Sequence, residues 1–171
     1  LFFSDLKVGA DRLLGGSETG YGRSGAKATF MQERAGVAAM ALGMVERALE
    51  LSTAYARDRA QFGRPIGTFQ ALAHRMADLL IDLEQARSAV INAAGHLEDN
   101  RASRERHVSA AKNLMGRVGR LVSEDTIQMH GGIAMTQEYE LAHIAKRITM
   151  ADHRFGDVDH HLERFIALSA A

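Results

Sequence analysis

The chain gathers arginine, glutamine and aromatic residues around its only proline. Residues 59–70 read Arg-Ala-Gln-Phe-Gly-Arg-Pro-Ile-Gly-Thr-Phe-Gln. Arginine forms forked hydrogen bonds with phosphate oxygens, and an aromatic ring such as that of Phe62 offers a flat apolar surface. The segment therefore suits a ligand that carries phosphate groups. The alternative is an ordinary connection between helices with solvated arginines, because one basic loop is weak support for a site.

A second motif, Gln128-Met129-His130-Gly131-Gly132, lies farther along the chain. A glycine pair lets the backbone approach a ligand closely, because no side chain intervenes. The same pair is also a common way to end a helix. Without further information, Gly131 and Gly132 indicate a helix end.

Acidic residues and histidines are concentrated near the end of the chain, where they raise the question of a metal site. They are Asp152, His153, Asp157, Asp159, His160 and His161. A di-iron helical bundle needs two Glu-x-x-His motifs and two more inward-facing glutamates, whereas this chain has one such motif, at Glu140 and His143. We therefore predict no metal site, and we expect His160 and His161 to lie exposed at a helix start or in a subunit contact.

Apolar residues at helical spacing predict the elements that hold these groups. Pro65 has no amide hydrogen and disfavours helical geometry before it, so one helix ends near Arg59. The next begins near Thr68, a predicted N-cap, and Ser103 is predicted to cap the third helix. The predicted helices cover residues 25–59, 69–97, 103–130, 137–150 and 157–168. The expected fold class is all-α, an antiparallel up-and-down bundle of three long helices with shorter C-terminal helices.

The apolar stripes of the three long helices predict the core. Its predicted members are Val37, Met40, Ala41, Met44, Val45, Ala48, Leu49, Leu51, Leu72, Met76, Leu79, Leu80, Leu83, Val90, Leu97, Val108, Ala111, Leu114, Met115, Val118, Leu121 and Val122. Before the first helix, residues 1–16 indicate a short strand or extended edge. Residues 15–20 are typical of a flexible loop because glycine is frequent there.

Composition limits the classes of function. The chain has 171 residues, of which 46% are hydrophobic and 25% charged, so it can form a folded core. A formal net charge of +0 argues against general attraction to nucleic acid or to an anionic membrane. The absence of cysteine excludes disulfides and fits a reducing compartment, so we expect a cytoplasmic protein. No apolar run is long enough to span a bilayer.

The two motifs, in this order, resemble the C-terminal helical domain of the acyl-CoA dehydrogenases. The pattern Arg-x-Gln-Phe-Gly-x-Pro-Ile-x-x-Phe-Gln of residues 59–70 follows a helix that carries Glu33-Arg34, and residues 128–132 supply the second motif. The resemblance covers nearly the whole chain. It implies that residues 1–24 are the tail of a middle β-domain with a linker, and that residues 25–171 form the helical domain.

The resemblance also implies a flavoprotein oxidoreductase of fatty acid metabolism that uses FAD. The implied reaction is α,β-dehydrogenation of an acyl-CoA thioester, with an electron-transfer flavoprotein or a similar acceptor. The implied assemblies are a homodimer, a homotetramer or a heteromer, because one subunit's loop completes its neighbour's flavin site. The implied flavin contacts are Arg59, Gln61 and Phe62 at the pyrophosphate and Gln128, Gly131 and Gly132 at the adenosine half. We expect this domain alone to be inactive.

The common position of the family's catalytic glutamate holds Phe155 here, and Asp157 stands where a threonine usually follows. Some family members instead place the glutamate in the first long helix, directly before an arginine. Glu33-Arg34 matches that arrangement, so we predict Glu33 as the catalytic base and Arg34 as a substrate-binding residue. The alternative for Glu33 is a solvated glutamate in the first turn of a helix, favoured by the helix dipole.

The absence of a glutamate at the common position has a second interpretation. Residues 147–161 resemble the tail of small-subunit dehydrogenases that act on dicarboxylyl or bulky acyl-CoAs. Some related enzymes contain two different subunits, one of which lacks a working base. The alternative function is therefore a non-catalytic partner subunit, or a helical assembly module, of a heteromeric dehydrogenase.

Overall fold

The computed structural model describes residues 2–12 and 22–170. Within these residues, the segment 2–9 pairs with no other strand, and Ala10–Arg12 form a short 3-10 helix. The N-terminal segment predicted as a strand or an extended edge is therefore not part of a sheet there. The flexible loop predicted over residues 15–20 lies outside the described residues.

Five α-helices make up most of the described chain, which confirms the predicted all-α class. They are α1 (Gly22–Asp58), α2 (Gln70–Gly95), α3 (Arg101–His130), α4 (Glu140–His153) and α5 (Val158–Ser169). Two-residue strands, β1 (Ala60–Gln61) and β2 (Arg64–Pro65), pair antiparallel between α1 and α2. Short 3-10 segments, Ile66–Thr68 and Gly131–Met135, precede α2 and follow α3.

Both predicted N-caps are wrong by one to three residues. Thr68 lies in the 3-10 segment and donates its hydroxyl to the carbonyl oxygen of Pro65 at 2.7 Å, so α2 begins after the extended residue Phe69. Asn100 caps α3, because its side chain accepts a hydrogen bond from the Ser103 amide at 3.1 Å. Both Asn100 and Ser103 are residue types that cap helices well, and spacing alone does not choose between them.

Helix α4 continues beyond its predicted end at Met150 because a buried lysine binds its last turn. The Lys112 ammonium donates to the carbonyl oxygens of Ala151 at 2.9 Å and Asp152 at 3.1 Å. A cation at this end of a helix satisfies carbonyl groups that have no partner within the helix and interacts favourably with the helix dipole. The helix therefore reaches His153.

The core contains most of the predicted stripes. Its predicted and buried members are Val37, Ala41, Val45, Ala48, Leu49, Leu79, Leu83, Val90, Val108, Ala111, Met115, Val118 and Val122. Met40, Leu80 and Leu121 are exposed instead and were wrongly predicted to be buried. Each lies next to a buried position, so the apolar stripe is wider than the face that the bundle covers.

Helix α3 lies at the centre of the bundle, because it packs against each of the other four α-helices. The C-terminal ends of α1 and α3 lie together, since the Tyr55 hydroxyl donates to the carbonyl oxygen of His130 at 3.3 Å. The N-terminal half of α1 instead meets the turn between α4 and α5, through Arg34 and Phe155. The two motifs and the Glu33 region therefore occupy opposite ends of the bundle. Among the described residues, no helix has the length and apolar character needed to cross a membrane.

The two candidate caps of α3 can be separated by substitution. We expect Asn100→Ala to lower the free energy of unfolding by about 1 kcal/mol, because the Ser103 amide loses its acceptor. Ser103→Ala is the matched control: it keeps the amide that Asn100 caps and removes the hydroxyl contacts with Asp99 at 2.7 Å and His107 at 3.5 Å, and we expect a smaller loss. Chemical denaturation of both variants measures the difference, and a larger loss in Ser103→Ala would contradict the assignment.

Candidate functional site

The segment around Pro65 forms a tight β-hairpin at the C-terminal end of α1. Ala60 pairs with Pro65 and Gln61 with Arg64, and the Ile66 amide donates to the Arg59 carbonyl oxygen at 2.8 Å. This pairing leaves only two residues, Phe62 and Gly63, at the tip.

Phe62 holds an unusual backbone conformation at the hairpin tip. The φ angles of Phe62 and Gly63 are 56° and 79°, and a two-residue loop with both φ angles positive matches the twist of paired strands. Glycine adopts this conformation readily, whereas a bulky residue does so at a cost. The Phe62 side chain is also 93% exposed. A strained and exposed aromatic residue is a candidate for contact with a ligand or a partner.

The side chains of the hairpin form a compact polar and aromatic surface. The Arg64 guanidinium lies 4.1 Å from the centre of the Phe69 ring, and Phe62 meets the same ring edge-on at 6.2 Å. The side chains of Arg59 and Gln61 are exposed. We name Arg59, Gln61, Phe62 and Arg64 the hairpin surface. Its guanidinium groups are available to an anionic ligand.

The second motif ends α3 close to the base of the hairpin. Gly131 has a φ of 70° and closes the helix, which confirms the predicted helix end, and Gln128, Gly131 and Gly132 are exposed. The His130 ring is buried and stacks on Tyr55 at 4.4 Å, one turn before Arg59 in the sequence. Tyr55 and His130 therefore hold the two motifs at one end of the bundle.

The predicted base lies at the other end of α1, beside the turn that holds Phe155. Glu33 is exposed and belongs to the third or fourth turn of α1, not to its first turn as the solvated alternative assumed. Phe30, one turn before Glu33, packs on the Phe155 ring at 6.1 Å. Arg34 donates its Nε hydrogen to the Phe155 carbonyl oxygen at 2.9 Å. We name Phe30, Glu33, Arg34 and Phe155 the Glu33 cluster.

The turn between α4 and α5 carries Phe155 in a left-handed conformation. The φ angles of Phe155 and Gly156 are 60° and 105°, and the first value is costly for an aromatic residue. Asp157 then caps α5 by accepting a hydrogen bond from the His160 amide at 3.0 Å. This bond lowers the pKa of Asp157. In the sequence, Asp157 is notable only because it stands where family members have a threonine. Its role as the N-cap of α5 was not predicted, although aspartate is a strong N-cap residue.

A stripe of polar and small residues on α3 holds this turn. Ser109, Lys112, Asn113 and Gly116 follow the spacing of one helix face, and we name them the α3 polar stripe. Lys112 binds the end of α4, and the Asn113 amide donates to the Val158 carbonyl oxygen at 3.0 Å. A Cβ atom at Gly116 would collide with the side chains of Asp152 and Val158. Sequence reasoning missed the stripe, although its i, i+3, i+4, i+7 spacing was visible.

His161 completes the contacts of the stripe and corrects a prediction. We expected it to be exposed, but its side chain is completely buried, whereas His160 is exposed as predicted. Its ring nitrogens lie 3.2 Å from the Ser109 hydroxyl and 3.2 Å from the Phe155 carbonyl oxygen. Burial, with a further contribution from the charge of Lys112, lowers the pKa of His161 to about 4.

A buried carboxylate joins α3 to α5 next to this region. Glu105 is 3% exposed and accepts hydrogen bonds from Arg101 at 2.8 Å and from Arg164. Although burial acts in the opposite direction, Arg101 and Arg164 hold the pKa of Glu105 below its usual value. The ion pair between Glu105 and Arg164 is structural, because it holds α5 against α3 and so fixes the turn before α5.

Several of the acidic residues and histidines near the end of the chain contact other protein groups. Among the described residues, no group of three or more histidines and carboxylates has the arrangement of a metal site. Asp152 lies beside Lys112, His161 binds Ser109, and Glu140 pairs with Arg47 at 2.9 Å. These three residues, together with Asp157 at the start of α5, therefore contact other protein groups.

The hairpin surface and the Glu33 cluster lie far apart. They stand near the two ends of a helix whose segment from Glu33 to Asp58 rises roughly 38 Å at 1.5 Å per residue. The structure therefore does not bring the hairpin surface and the Glu33 cluster into one site.

Comparison with known proteins identifies relatives of the whole bundle. The family model described as acyl-CoA dehydrogenase, C-terminal domain, matches residues 20–164. Acyl-CoA dehydrogenase IpdE2 of Mycolicibacterium smegmatis is 40% identical over 111 residues, which cover 65% of this chain and 34% of the relative. The chain spans about a third of the length of the curated relatives it matches.

Two solved structures show the same arrangement of helices. Butyryl-CoA dehydrogenase from Megasphaera elsdenii matches with a TM-score of 0.83 and 28% identity, over 91% of this chain and 40% of that chain. The ChsE4-ChsE5 complex from Mycobacterium tuberculosis matches with a TM-score of 0.78 and 27% identity, over 82% of this chain and 38% of that chain.

The low pKa of His161 predicts that the folded protein loses stability as the solution becomes acidic. The folded-state pKa of about 4 lies below the ordinary value of 6.5, so the contribution of neutral His161 is complete above pH 6.5 and is lost as the pH falls towards 4. We expect that loss to be on the order of 3 kcal/mol. His161→Gln does not titrate and can keep both hydrogen bonds, so its stability should fall less over the same range.

Thermal or chemical unfolding from pH 7 to pH 4 measures this difference. His74→Gln, an exposed histidine on α2, is the control and should follow the original protein. Parallel pH curves for the original protein and His161→Gln would contradict the assigned burial of a neutral ring.

Proposed function

We propose, since this chain belongs to the acyl-CoA dehydrogenase family and matches its C-terminal domain, that the complete protein is an acyl-CoA dehydrogenase. It carries out α,β-dehydrogenation of an acyl-CoA thioester, for which a bound FAD would supply the acceptor of the hydride from the β-carbon. The task of this chain's own residues is to remove the α-proton and to help hold substrate and cofactor. The acyl-CoA is bound near the Glu33 cluster.

One observation carries the proposal: the helix of Glu33 meets the turn of Phe155. Family members carry their base at the position of Phe155 or at that of Glu33. Arg34, the next residue, binds the Phe155 carbonyl oxygen at 2.9 Å, and Phe30 packs on the Phe155 ring. Bases at the two positions therefore face one region, and a substrate bound there can be deprotonated from either side.

Glu33 is the proposed base. Its carboxylate is exposed in this chain and accessible to a ligand. A carboxylate that an apolar acyl chain then covers becomes a stronger base, because burial disfavours its charged form. Arg34 adds a fixed positive charge nearby, which suits the negative charge that develops on the thioester as the α-proton leaves. Arg34 is therefore the proposed substrate-binding residue.

Replacement of Glu33 tests this assignment. We expect Glu33→Gln in the complete protein to lower kcat by at least about 10²-fold, because glutamine cannot accept the proton. Flavin content should not change, since the substitution removes no proposed flavin contact. The measurement is acyl-CoA-dependent bleaching of the flavin together with turnover of an artificial electron acceptor.

Two further variants sharpen the result. Glu98→Gln changes an exposed glutamate at the turn after α2 and should leave turnover unaltered. Glu33→Gln combined with Phe155→Glu moves the carboxylate to the common family position, and we expect part of the activity to return. Full activity in the single Glu33→Gln variant would show that another group is the base.

The hairpin surface and the end of α3 are the proposed FAD contacts. Arg59 and Gln61 suit the pyrophosphate, and Phe62 adds an exposed ring. Gln128 and the pair Gly131-Gly132 suit the adenosine half, where the backbone can approach closely. The roughly 38 Å between these residues and Glu33 supports an assembly in which each chain completes the flavin site of a neighbour. The proposed assembly is a homodimer or homotetramer, with an electron-transfer flavoprotein or similar protein as acceptor.

The loss of one guanidinium tests the hairpin contact. We expect Arg59→Ala to weaken flavin binding about 10-fold or more, because a hydrogen bond to a charged group contributes roughly 1.5–3 kcal/mol. Arg57→Ala removes a similar exposed charge from the last turn of α1 and is the control. Titration of the protein without cofactor with FAD measures both affinities. Equal affinities for the two variants would exclude Arg59 from the flavin site.

A second candidate function is a non-catalytic partner subunit of a heteromeric dehydrogenase. Phe155 at the common base position favours it, and so does the similarity to a chain of the ChsE4-ChsE5 complex. Such a subunit would be colourless when purified alone and would gain flavin and activity only with a second, different chain. The flavin content of the complete protein expressed by itself therefore separates the two candidates.

A further inference from the structure

One backbone oxygen joins three elements next to the proposed base. The carbonyl oxygen of Phe155 receives the Nε hydrogen of Arg34 from α1 at 2.9 Å. It also lies 3.2 Å from Nε2 of His161 on α5. A carbonyl oxygen has two lone pairs, so these two donors satisfy it completely. The orientation of the Arg34 guanidinium therefore depends on the Phe155 carbonyl oxygen, which His161 also binds.

The contacts of His161 determine which of its ring nitrogens carries the hydrogen. The Phe155 carbonyl oxygen can only accept, so Nε2 must donate to it. Nδ1 then accepts the hydrogen of the Ser109 hydroxyl at 3.2 Å. Neutral His161 with its hydrogen on Nε2 satisfies every one of these groups. The Phe155 carbonyl oxygen thus selects this form of His161, and the Ser109 hydroxyl on the α3 polar stripe can donate to it.

The turn needs such an anchor. Phe155 has a φ of 60°, and such a conformation persists only where surrounding contacts enforce it. Lys112 fixes the end of α4 before the turn, and Asn113 binds the Val158 carbonyl oxygen after it. His161 and Arg34 bind the turn itself, and of these two only His161 is completely buried.

We propose that His161 is a positioning residue for the dehydrogenation: by holding the Phe155 carbonyl oxygen, it fixes the guanidinium of Arg34 beside the acyl-CoA. This inference rests on the proposed function, and it gives His161 no contact with substrate or cofactor. Because His161 acts through Arg34, its removal should matter only while Arg34 is present. A purely structural histidine would not depend on Arg34 in this way.

A double-mutant cycle in the complete, flavin-loaded protein tests the dependence. The variants are His161→Leu, Arg34→Gln and their combination. We expect His161→Leu to lower kcat/KM by between about 10-fold and 10²-fold, because a small misplacement near the substrate costs this much. In the Arg34→Gln background, the same substitution should lower kcat/KM less than 3-fold (an order-of-magnitude expectation for a coupled pair).

Matched variants separate hydrogen bonding from packing. His161→Gln can donate to Phe155 and accept from Ser109, so it should recover most of the kcat/KM that His161→Leu loses. His74→Leu replaces an exposed histidine of α2, and its effect should be the same with or without Arg34. If His161→Leu does not yield flavin-loaded protein, Ser109→Ala takes its place in the cycle. We expect that variant to give a smaller loss with the same dependence on Arg34.

Each outcome has one meaning. The positioning role would be overturned if the losses of kcat/KM in the two single variants multiplied in the double variant. It would also be overturned if His161→Gln lost as much kcat/KM as His161→Leu. A complete protein that turns over no acyl-CoA, with or without a second subunit, would instead refute the proposed function itself. The activity of the unsubstituted protein therefore distinguishes the two failures.

Discussion

The fold around the Phe155 turn depends on a buried polar face of α3. The Lys112 ammonium is 2% exposed, and burial lowers its pKa, so it must find partners in the interior or destabilise the protein by several kcal/mol. The carbonyl groups at the end of α4 need donors for the same reason. The Lys112 ammonium and the carbonyl oxygens at the end of α4 satisfy each other. This contact fixes the position of α4 against α3. The α3 polar stripe thus sets where α4 stops, how the Phe155 turn is held and where α5 begins.

The length of α1 imposes a second constraint, which concerns assembly. The helix carries Glu33 in its N-terminal half and leads into the hairpin at its C-terminal end, with roughly 38 Å of helix between Glu33 and Asp58. A straight helix cannot bring its two ends to one cofactor. The proposed catalytic and cofactor-binding roles are therefore compatible only if chains associate. The ring of Phe62 at the hairpin tip is exposed and is therefore accessible to a second chain.

Much of the bundle could be predicted from the sequence, because apolar periodicity and Pro65 determine where long helices run and where they break. The details of the site could not. A φ of 56° at Phe62 contradicts the preference of its residue type, and two-residue strands leave no pattern. The burial of His161 depends on Ser109, which is 52 residues away in the sequence. Asn100 and Ser103 are equally suitable caps, so only the hydrogen bond itself distinguishes them.

The replacement of the common glutamate by Phe155 is consistent with a base at Glu33. Two carboxylates that face one site cannot both ionise easily, because each raises the pKa of the other. A glutamate at position 155 would therefore compete with Glu33 for the same region. An aromatic residue there avoids that repulsion and packs on Phe30 at 6.1 Å, one turn before Glu33. The backbone of Phe155 still supplies the carbonyl oxygen that Arg34 binds at 2.9 Å. The substitution thus removes one charge while it keeps the contact that holds the turn against α1.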